Sequence, residues 1–553
     1  ITRRSTVKPI MSDIDQLNQK IKILQGRIVQ LNEIGVALSS EKNTDKLFEM
    51  ILESGKTITN ADGRTLYMKN SEGNLDFKIL LNDTMETHMG GTSSVEISFY
   101  PVKLHLPDGS ENHTNVSAHV ALTGEIVHIE DAYTEEGFDF SGTKAFDEKS
   151  GYRSKSFLNV PLKNHENDII GVMQLINARD SDGNIIPFSD EMQNQVESIA
   201  SQGAVALTNK RLVEELKILF EAFIKLIAVA IDKKSPYTGG HCERVPVITM
   251  MLADAVQEKK TGKYKDFSMT DEERYELNIA AWLHDCGKVA TPPHVVDKST
   301  KLETIYDRIG LVNTRFEVLR RDAEISYLKE RLAGKDASKA ESEKIESTYK
   351  NQLKQLNEDQ AFIERINIGG EFMEQGLQDR VVQISKYPYT EKGSKIPFLS
   401  EEEIENLNIK KGTLTEEERT IINDHIVITI DMLEKLPYPK QLKNVPEFAG
   451  GHHEKLDGTG YPKGLKDEDM SVQAKMMAIA DIFEALTAED RPYKDGKKLS
   501  QAMRIMGFMR NDSHIDPDLF EIFVTEGIYK KYAKQYVNES QIDTVNEIDL
   551  LPN

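Results

Sequence analysis

The sequence predicts a multidomain protein in which an α+β domain is joined by a long helix to an all-α domain with a helical-hairpin insertion. Three observations support this. The chain of 553 residues exceeds what one hydrophobic core usually supports, β-like runs are concentrated between about 33 and 185, and helical periodicity dominates the rest. The predicted segments are an N-terminal coiled-coil helix (1–32), the α+β domain (33–189), a connecting helix (190–234), the all-α domain (225–530) with its insertion (about 303–412), and a C-terminal tail (531–553).

The composition indicates a water-soluble protein of a reducing compartment. No run of about 18 apolar residues is present and no signal peptide is recognisable, while Cys242 and Cys286 are too few for a disulfide framework. We therefore expect a cytoplasmic protein with no membrane segment. A net charge of −22 would repel duplex nucleic acid, but metal ions and local Lys or Arg residues could still hold a small anion.

Two segments have the periodicity of long helices. Near the N-terminus, apolar residues alternate at spacings of three and four, as in a coiled-coil seam; one amphipathic helix packed on its own domain would give the same pattern. The seam residues are Ile14, Leu17, Ile21, Leu24, Ile28 and Leu31. Residues 190–234 contain only one glycine, Gly203, and predict a helix about 60 Å long. We expect a homodimer formed through these two helices.

The α+β segment resembles a GAF domain. The resemblance is carried by Phe146–Ser156, Asn159–Leu162 and the strand that ends at Asn177. GAF domains of cyclic-nucleotide phosphodiesterases have an Asn-Lys pair, but here Asn177 precedes Ala178, and Phe188 lies closer to the following acidic pair than in those domains. This departure argues against a cyclic nucleotide as the ligand of this domain. Two interpretations stay open: a domain that binds another small molecule, and one that only dimerises or transmits a signal.

Histidines and aspartates in short, distinct motifs mark the all-α segment. Taken singly, each would more often be a hydrogen-bonded core or surface side chain. Together, mixed imidazole and carboxylate ligands favour Fe or Mn, and two six-coordinate ions with a bridging aspartate and water would leave about two positions for phosphate oxygens. The residues are His241, His284, Asp285, His425, His452, His453 and Asp481.

Three motifs of this segment resemble the HD-GYP family of bacterial cyclic di-GMP phosphodiesterases, a subgroup of the HD superfamily. They are His284–Lys288 (HDCGK), His452–Pro462 (HHEKLDGTGYP) and Asp490–Lys494 (DRPYK). The resemblance covers about 225–530 apart from the insertion. It implies an all-α catalytic domain that hydrolyses cyclic di-GMP to linear pGpG, and whether hydrolysis continues to GMP stays open.

The resemblance also implies roles for single residues. The seven histidines and aspartates match the family's metal ligands, and Asp285 and Lys288 are the expected catalytic residues. Lys288 matches a lysine near the scissile phosphate, where a cation stabilises negative charge or protonates the leaving oxygen. The expected substrate contacts are Lys288, Arg491, Lys494, Gly460 and Tyr461. The loop with the last two could instead dock a partner, and the two basic residues could be exposed charges.

The expected metal count is two. In part of the family, a glutamate four residues before the first histidine brings in a third metal ion. In this sequence that position is Tyr237, which makes a third metal less favourable.

The spacing of the motifs predicts the insertion. Lys288 and His425 are 137 residues apart, whereas the corresponding motifs of the family follow each other almost directly. The middle of the extra segment has the pattern of two charged amphipathic helices, which predicts an antiparallel hairpin. The hairpin could gate the site, contact a partner, or be a solvated excursion without catalytic effect.

Other functions stay open at this point. No motif reads base edges, so another cyclic dinucleotide such as cyclic GMP-AMP is an alternative substrate. The His-His doublet and the Gly-Tyr-Pro element argue against a cyclic mononucleotide. A metal-containing signalling receptor without turnover is the alternative from a different class, although the complete ligand set and Lys288 weigh against it.

Overall fold

The computed structural model describes residues 7–234, 240–334, 338–370, 372–391, 393–489 and 496–551. The chain divides into two compact units, Ile1–Leu219 and Phe220–Asn553. Among the described helices, none combines the length and the hydrophobicity that crossing a bilayer requires.

An antiparallel six-stranded sheet forms the centre of the first unit. Its strands are β1 (Gly63–Lys69), β2 (Leu75–Asn82), β3 (Thr87–Gly90), β4 (Val127–Ile129), β5 (Phe157–Lys163) and β6 (Ile169–Ile176), in the spatial order β3-β2-β1-β6-β5-β4. Two short strands, β7 (Ala178–Arg179) and β8 (Ile185–Ile186), pair with each other. The helices are α1 (Val7–Ser40), α2 (Thr44–Thr59), α3 (Val116–Thr123), α4 (Ser141–Ser150) and α5 (Asp190–Lys234), which continues into the second unit.

The two faces of the sheet pack on different helices, because successive side chains of a strand point to opposite faces. Leu66 and Met173 join a buried core with residues of α2 and α5. Their chain neighbours Tyr67 and Val172 pack with residues of α3. The predicted α+β domain is therefore a sheet with helices on both sides.

Two predicted boundaries of this unit differ from the structure. Helix α1 runs to Ser40 instead of ending at residue 32, because Leu38 is buried in the core of the unit. The predicted connecting helix is present as α5, but its first part is not a free connector. Val196 and Ala200 are fully buried in the same core, so the first turns of α5 belong to the α+β domain.

Helices make up most of the second unit. They are α6 (His241–Glu258), α7 (Asp271–Leu283), α8 (Pro293–Val296), α9 (Ile309–Ala333), α10 (Lys339–Asn367), α11 (Gln375–Ile384), α12 (Glu401–Leu407), α13 (Glu416–Glu434), α14 (Val445–Gly450), α15 (Val472–Thr487), α16 (Leu499–Asn511), α17 (Pro517–Thr525) and α18 (Ile528–Tyr536). Short 3-10 helices occupy Cys286–Val289, Lys440–Leu442, Asp467–Asp469, Glu539–Gln541 and Glu547–Asp549. Strands β9 (Tyr389–Glu391) and β10 (Ser394–Ile396) pair as a hairpin. Capping boxes, in which a Ser or Thr and a Glu three residues later bind each other's backbone, start α7, α10, α12 and α13.

One core joins most helices of this unit outside the insertion. Val245 of α6, Leu277 of α7 and Phe483 of α15 are fully buried in it. Tyr532 of α18 and Leu550 are buried in the same core. In the predicted C-terminal tail (531–553), the apolar side chains of the described residues therefore pack on the domain.

The insertion contains the predicted helical hairpin. Asn313 of α9 donates to Glu364 of α10 at 2.9 Å, and further along the pair Tyr327 stacks on Tyr349 with ring centroids 4.6 Å apart, so the two helices are antiparallel. Helices α11 and α12 and the β9–β10 hairpin were not predicted. They share a separate core with the base of the hairpin, in which Phe398 is fully buried.

Candidate metal centre

All seven predicted ligands lie together in the second unit, although they come from five helices or helix ends. They are His241 at the start of α6, His284 and Asp285 at the end of α7, His425 in α13, His452 and His453 after α14, and Asp481 in α15. Their ligand atoms form two groups, and within each group the atoms lie within 4.8 Å of one another. The first ligand group is His241, His284, Asp285 and Asp481, and the second is His425, His452 and His453.

Asp285 faces both ligand groups. Its Oδ2 lies 3.1 Å from Nε2 of His241 and 3.2 Å from Nε2 of His284. Its Oδ1 lies 3.2 Å from Nε2 of His425. One carboxylate therefore presents one oxygen to each group, which is the arrangement that a bridging ligand needs.

A glycine allows this approach. A Cβ added to Gly287 would lie 1.9 Å from the carbonyl oxygen of His425 and 2.6 Å from the amide nitrogen of Thr429. The Gly287 amide donates to Thr429 Oγ1 at 2.9 Å. The turn after Asp285 therefore lies directly on α13, and a larger residue would push Asp285 and His425 apart.

The imidazole rings are held from behind. Nδ1 of His284 lies 2.8 Å from the carbonyl oxygen of Ala281, and Nδ1 of His452 lies 2.6 Å from that of Ala449. His425 makes the same contact with the residue three positions before it. A proton on Nδ1 of each ring leaves the Nε2 lone pair directed inward, where it can bind a metal ion.

Several buried polar atoms of the centre lack a hydrogen-bond partner among the described residues. They are Nε2 of His452, and Oδ1 of Asp285 and Nε2 of His425, which lie 3.2 Å apart but do not form a hydrogen bond. A buried polar atom without a partner costs about 1–3 kcal/mol. These atoms are all of the kinds that divalent transition metals accept as ligands, so the residues fit the metal ions that the motifs predict.

The carboxylates of the centre are held in their charged form. Burial alone would raise the pKa of Asp285, but Lys288 and His284 outweigh it and keep that pKa well below its usual range. Burial opposes ionisation of Asp481 in the same way, and hydrogen bonding and charge from His241 lower its pKa. Both groups are thus anionic and able to bind cations.

The pKa of His241 is shifted in the opposite direction from those of His452 and His453. Burial lowers the pKa of His453 to about 4, and burial with the neighbouring His453 and His284 holds the pKa of His452 well below its usual range. Burial acts on His241 in the same direction, but the Glu484 carboxylate and the two aspartates outweigh it and raise its pKa. The doublet is therefore neutral at physiological pH, as metal ligands must be.

Lys288 lies against the centre. Its Nζ is 2.6 Å from Oδ2 of Asp285. Burial disfavours the ammonium, but the charges of Asp285 and Asp481 outweigh it and raise the pKa of Lys288. The expected catalytic lysine is therefore a fixed cation beside the shared carboxylate.

The Gly-Tyr-Pro loop packs on the second ligand group. The ring of Tyr461 stacks on that of His453 with centroids 4.9 Å apart. A Cβ at Gly460 would lie 2.5 Å from Cα of Glu454, so this glycine is required by close packing within the loop. Glu454 is buried and accepts from the amides of Lys463 and Leu465 at 2.7 and 2.9 Å, which ties the two ends of the loop together.

Three residues singled out in the sequence lie outside the described part of the chain. They are Tyr237, Arg491 and Lys494. The roles expected for Arg491 and Lys494 at the substrate therefore stay predictions. So does the effect of Tyr237 on the number of metal ions.

Sequence reasoning missed the partner of His241. Glu484 is buried, and one of its carboxylate oxygens contacts Nδ1 of His241 while the other accepts from Nε of Arg244 at 2.6 Å. A carboxylate behind a ligating histidine fixes the ring and increases its basicity. Glu484 comes three residues after Asp481 on α15, and this one-turn spacing was the signal that could have identified it.

The first unit contains a cavity of about 320 Å³ between the sheet and its loops. Its lining combines aromatic residues, such as Phe140 and Phe157, with polar and charged ones, such as Arg64. Two lining residues are hydrogen-bonded to each other: Tyr67 Oη donates to Gln174 Oε1 at 3.2 Å, and Gln174 Nε2 also donates to Oδ1 of the buried Asn159 at 2.9 Å. The cavity could hold a small molecule with an apolar body and a few hydrogen-bonding groups.

Asn177 has a structural role in this unit. It adopts a left-handed conformation with φ +58°, and its Oδ1 accepts from the amide of Lys155 at 2.8 Å while its Nδ2 donates to the carbonyl oxygen of Arg153 at 2.8 Å. The side chain thus joins the end of β6 to the start of β5. In this chain, Asn177 of the GAF-like motif therefore stabilises the fold.

Fold and site together define a sensor-like α+β domain followed by a helical domain with a buried histidine–aspartate centre able to hold metal ions. Comparison with known families agrees: residues 43–207 match the GAF domain and residues 396–519 match the HD domain. The chain contains a GAF domain and an HD domain, and both resemblances inferred from the motifs are confirmed. The HD match includes the second ligand group and Asp481, whereas His241, His284 and Asp285 precede it.

Curated relatives align over short parts of the chain. One is the 3'3'-cGAMP-specific phosphodiesterase 3 of Vibrio cholerae, 40% identical over 111 residues, which are 20% of this chain and 23% of the relative. Another is the cyclic di-GMP phosphodiesterase PA4108 of Pseudomonas aeruginosa, 36% identical over 139 residues, 25% of this chain and 32% of the relative. A third is the cyclic di-GMP phosphodiesterase of Thermotoga maritima, 34% identical over 136 residues, 25% of this chain and 36% of the relative. The chain thus spans about a quarter to a third of the length of these relatives.

Proposed function

We propose that this protein is a metal-dependent phosphodiesterase that hydrolyses cyclic di-GMP to linear pGpG in its HD domain, under the control of its GAF domain. The observation that carries the proposal is the position of Asp285, whose two oxygens face two separate groups of buried ligands. Paired metal sites of this kind are suited to phosphodiester hydrolysis.

The proposed cofactors are two divalent transition-metal ions, Fe or Mn, since imidazole and carboxylate ligands suit both. His241, His284 and Asp481 would hold one ion, and the three histidines of the second ligand group would hold the other. Asp285 would serve both. When bound, the ions would activate a water molecule as nucleophile and neutralise charge on the phosphate.

The residues of the chain supply positioning and charge. Lys288, held cationic beside Asp285, would stabilise the negative charge that develops on the phosphate oxygens. Tyr461 lies against His453 and is therefore close to any substrate bound at the centre. We keep Gly460, Arg491 and Lys494 as proposed substrate contacts on the strength of the motif resemblance.

A second substrate is favoured by one observation. The relatives that align with the chain include a 3'3'-cGAMP-specific phosphodiesterase at 40% identity. Cyclic GMP-AMP has the same two phosphodiester bonds, and metal ions held by the ligand groups would act on the phosphate and not on the bases. Cyclic GMP-AMP is therefore the second candidate substrate.

Substrate assays separate these candidates. Protein loaded with Mn²⁺, or with Fe²⁺ under anaerobic conditions, would be incubated with cyclic di-GMP, 3'3'-cyclic GMP-AMP and cyclic AMP, and the products would be separated by chromatography. We expect pGpG from cyclic di-GMP and no reaction of cyclic AMP. If product formed only from cyclic GMP-AMP, the proposal of cyclic di-GMP as substrate would be contradicted. If no product formed with either metal, a receptor without turnover would be favoured.

We propose that the GAF cavity holds the regulatory ligand. Its phenylalanine side chains and the hydrogen-bonding groups of Tyr67 and Gln174 suit a small molecule with an apolar body and polar substituents. A screen of small molecules by thermal shift of the full chain would test this. Ligands that raise the unfolding temperature of the GAF domain should change turnover in the HD domain. Ligands that bind the GAF domain without any change in turnover would contradict its regulatory role.

We propose a cytoplasmic homodimer. Apolar residues of α5 recur at spacings of four and three and are between 41 and 63% exposed, as a coiled-coil seam between two copies requires. The seam is Leu212, Leu216, Leu219, Phe223 and Leu226. The unpaired state of both cysteines supports the cytoplasm. Light scattering should give a dimer that Leu216→Glu weakens and that Glu214→Lys, exposed on the face of α5 opposite the seam, leaves intact; a monomeric wild type would contradict the proposal.

A further inference from the structure

The last turn of α5 contacts the helix that carries His241. Asp232 is buried, and its Oδ2 accepts from the amide of Gly240 at 3.0 Å and from that of Cys242 at 3.2 Å. The first amides of a helix have no partner within the helix. Asp232 therefore serves as the N-terminal cap of α6, supplied by another helix, and fixes the backbone on both sides of His241.

The same turn contacts the segment that carries Asp285 and Lys288. Nζ of Lys234 donates to the carbonyl oxygens of Lys288 at 3.1 Å and Thr291 at 2.6 Å, and also to that of Val289. A lysine has three donors, and here all of them meet carbonyl oxygens at the end of one 3-10 turn. A cation at this end also suits the local backbone dipoles.

We propose that Asp232 and Lys234 are positioning residues of the metal centre, which hold the backbones of His241 and of the Asp285–Lys288 turn at a fixed separation. The proposal rests on the proposed metal-dependent function and assigns a route for its control. Helix α5 starts in the core of the GAF domain, where Val196 is buried, and ends at these two contacts. A shift of α5 along its axis would therefore reach the first ligand group and Lys288 directly.

Metal affinity is the direct readout of this role. Mn²⁺ would be titrated by calorimetry into the metal-free chain of 553 residues. The proteins compared would be wild type, Lys234→Met, Lys234→Arg and the matched control Lys233→Met, which alters the exposed neighbour. Residues that orient metal ligands typically change affinity by 10- to 100-fold. We expect Lys234→Met to weaken Mn²⁺ binding by about tenfold or more, Lys234→Arg to keep much of the affinity, and Lys233→Met to match wild type.

Asp232 provides an independent test. Asp232→Ala removes both acceptors and should weaken Mn²⁺ binding as Lys234→Met does, whereas Asp232→Asn keeps one acceptor oxygen and should lie between that variant and wild type. Hydrogen exchange of the amides of Gly240 and Cys242 should accelerate in Asp232→Ala. If Lys234→Met does not fold, the variants Asp232→Ala and Asp232→Asn still test the positioning role.

The outcomes are distinct from those of the proposed function. Folded Lys234→Met and Asp232→Ala proteins that bind Mn²⁺ with wild-type affinity would overturn the positioning role, even if wild type hydrolyses cyclic di-GMP. Weakened Mn²⁺ binding in both variants would support it, even if wild type hydrolysed none of the cyclic dinucleotides. In that second case the proposed substrate would fail and the positioning role would stand.

Discussion

The metal centre of the HD domain and the cavity of the GAF domain are built in opposite ways. The metal centre brings together seven ionisable side chains, and three of their inward atoms lack hydrogen-bond partners among the described residues: Oδ1 of Asp285 and Nε2 of His425 and His452. The cavity is lined by apolar and polar side chains together, and Tyr67 and Gln174 in its lining already hydrogen-bond each other. A bound cation would provide partners for the unpaired atoms of the first site, whereas the hydrogen bond between Tyr67 and Gln174 in the second forms without a ligand. This difference agrees with the proposal of metal ions in one domain and an exchangeable ligand in the other.

The comparison predicts that loss of the shared carboxylate has the largest effect. Asp285→Asn removes the charge that faces both ligand groups, and we expect turnover to fall by about 10³-fold or more, which corresponds to about 4 kcal/mol of transition-state stabilisation. Metal analysis should find less than the wild-type content. The GAF thermal transition should not move.

The control for this variant is Asp431→Asn, an exposed carboxylate on the same helix as His425. It should keep wild-type metal content and turnover. An Asp285→Asn protein with full metal content and unchanged turnover would show that the two ligand groups do not depend on their shared carboxylate.

Lys288 should matter for chemistry more than for metal content. Because Lys288 is held cationic beside Asp285, Lys288→Met should lower kcat by about 10²-fold with metal content close to wild type. Lys288→Arg should restore part of kcat. Steady-state kinetics and metal analysis on the same samples would measure kcat and metal content. A Lys288→Met protein that loses its metal but keeps wild-type kcat per bound metal ion would show that the lysine acts in metal binding and not in the chemical step.

Gly287→Ala tests the close packing of the site. The added methyl would meet the carbonyl oxygen of His425 at 1.9 Å, so we expect the HD domain to lose about 1–3 kcal/mol of unfolding free energy and the second metal to bind more weakly. Gly310→Ala is the matched control, because a Cβ there meets no atom within 4 Å and alanine favours a helix. Equal thermal unfolding of the two variants would contradict the packing argument.

The smallest expected effect lies in the GAF domain. Tyr67→Phe removes a hydroxyl that donates to Gln174, and we expect the GAF transition to lose about 1 kcal/mol. Metal content and the HD transition should be unchanged. If the HD domain lost the same unfolding free energy, the two domains would not be stabilised separately, which would contradict the comparison of the two sites.

The metal centre could be inferred from the sequence because its chemistry depends on residue type. Histidine and aspartate in short motifs identified the seven side chains that the structure brings together, even though 137 residues separate Lys288 from His425. Glu484 was within reach of the same reasoning, since it lies one helical turn from Asp481. Asp232 and Lys234 were not, because they act on backbone atoms of distant segments and such contacts leave no pattern in the residue types.

The fold was predicted in outline for similar reasons. The breaker-free segment gave α5 with its observed bounds, Asp190–Lys234. The end of α1 at Ser40, beyond the predicted residue 32, was not foreseen, because helical periodicity does not reveal that Leu38 packs in the core of the α+β unit. The burial of Tyr532 and Leu550 in the predicted tail was not foreseen either, because it depends on contacts that are remote in sequence. The GAF cavity was not predicted at all, since its shape depends on loops and on residues from many strands.

Anomalous diffraction from crystals of the Mn²⁺-loaded protein would show whether Asp285 joins two metal sites. We expect two manganese peaks, one beside His241, His284 and Asp481 and one beside the second ligand group, each within bonding distance of an oxygen of Asp285. A single peak, or two peaks of which neither contacts Asp285, would contradict this expectation.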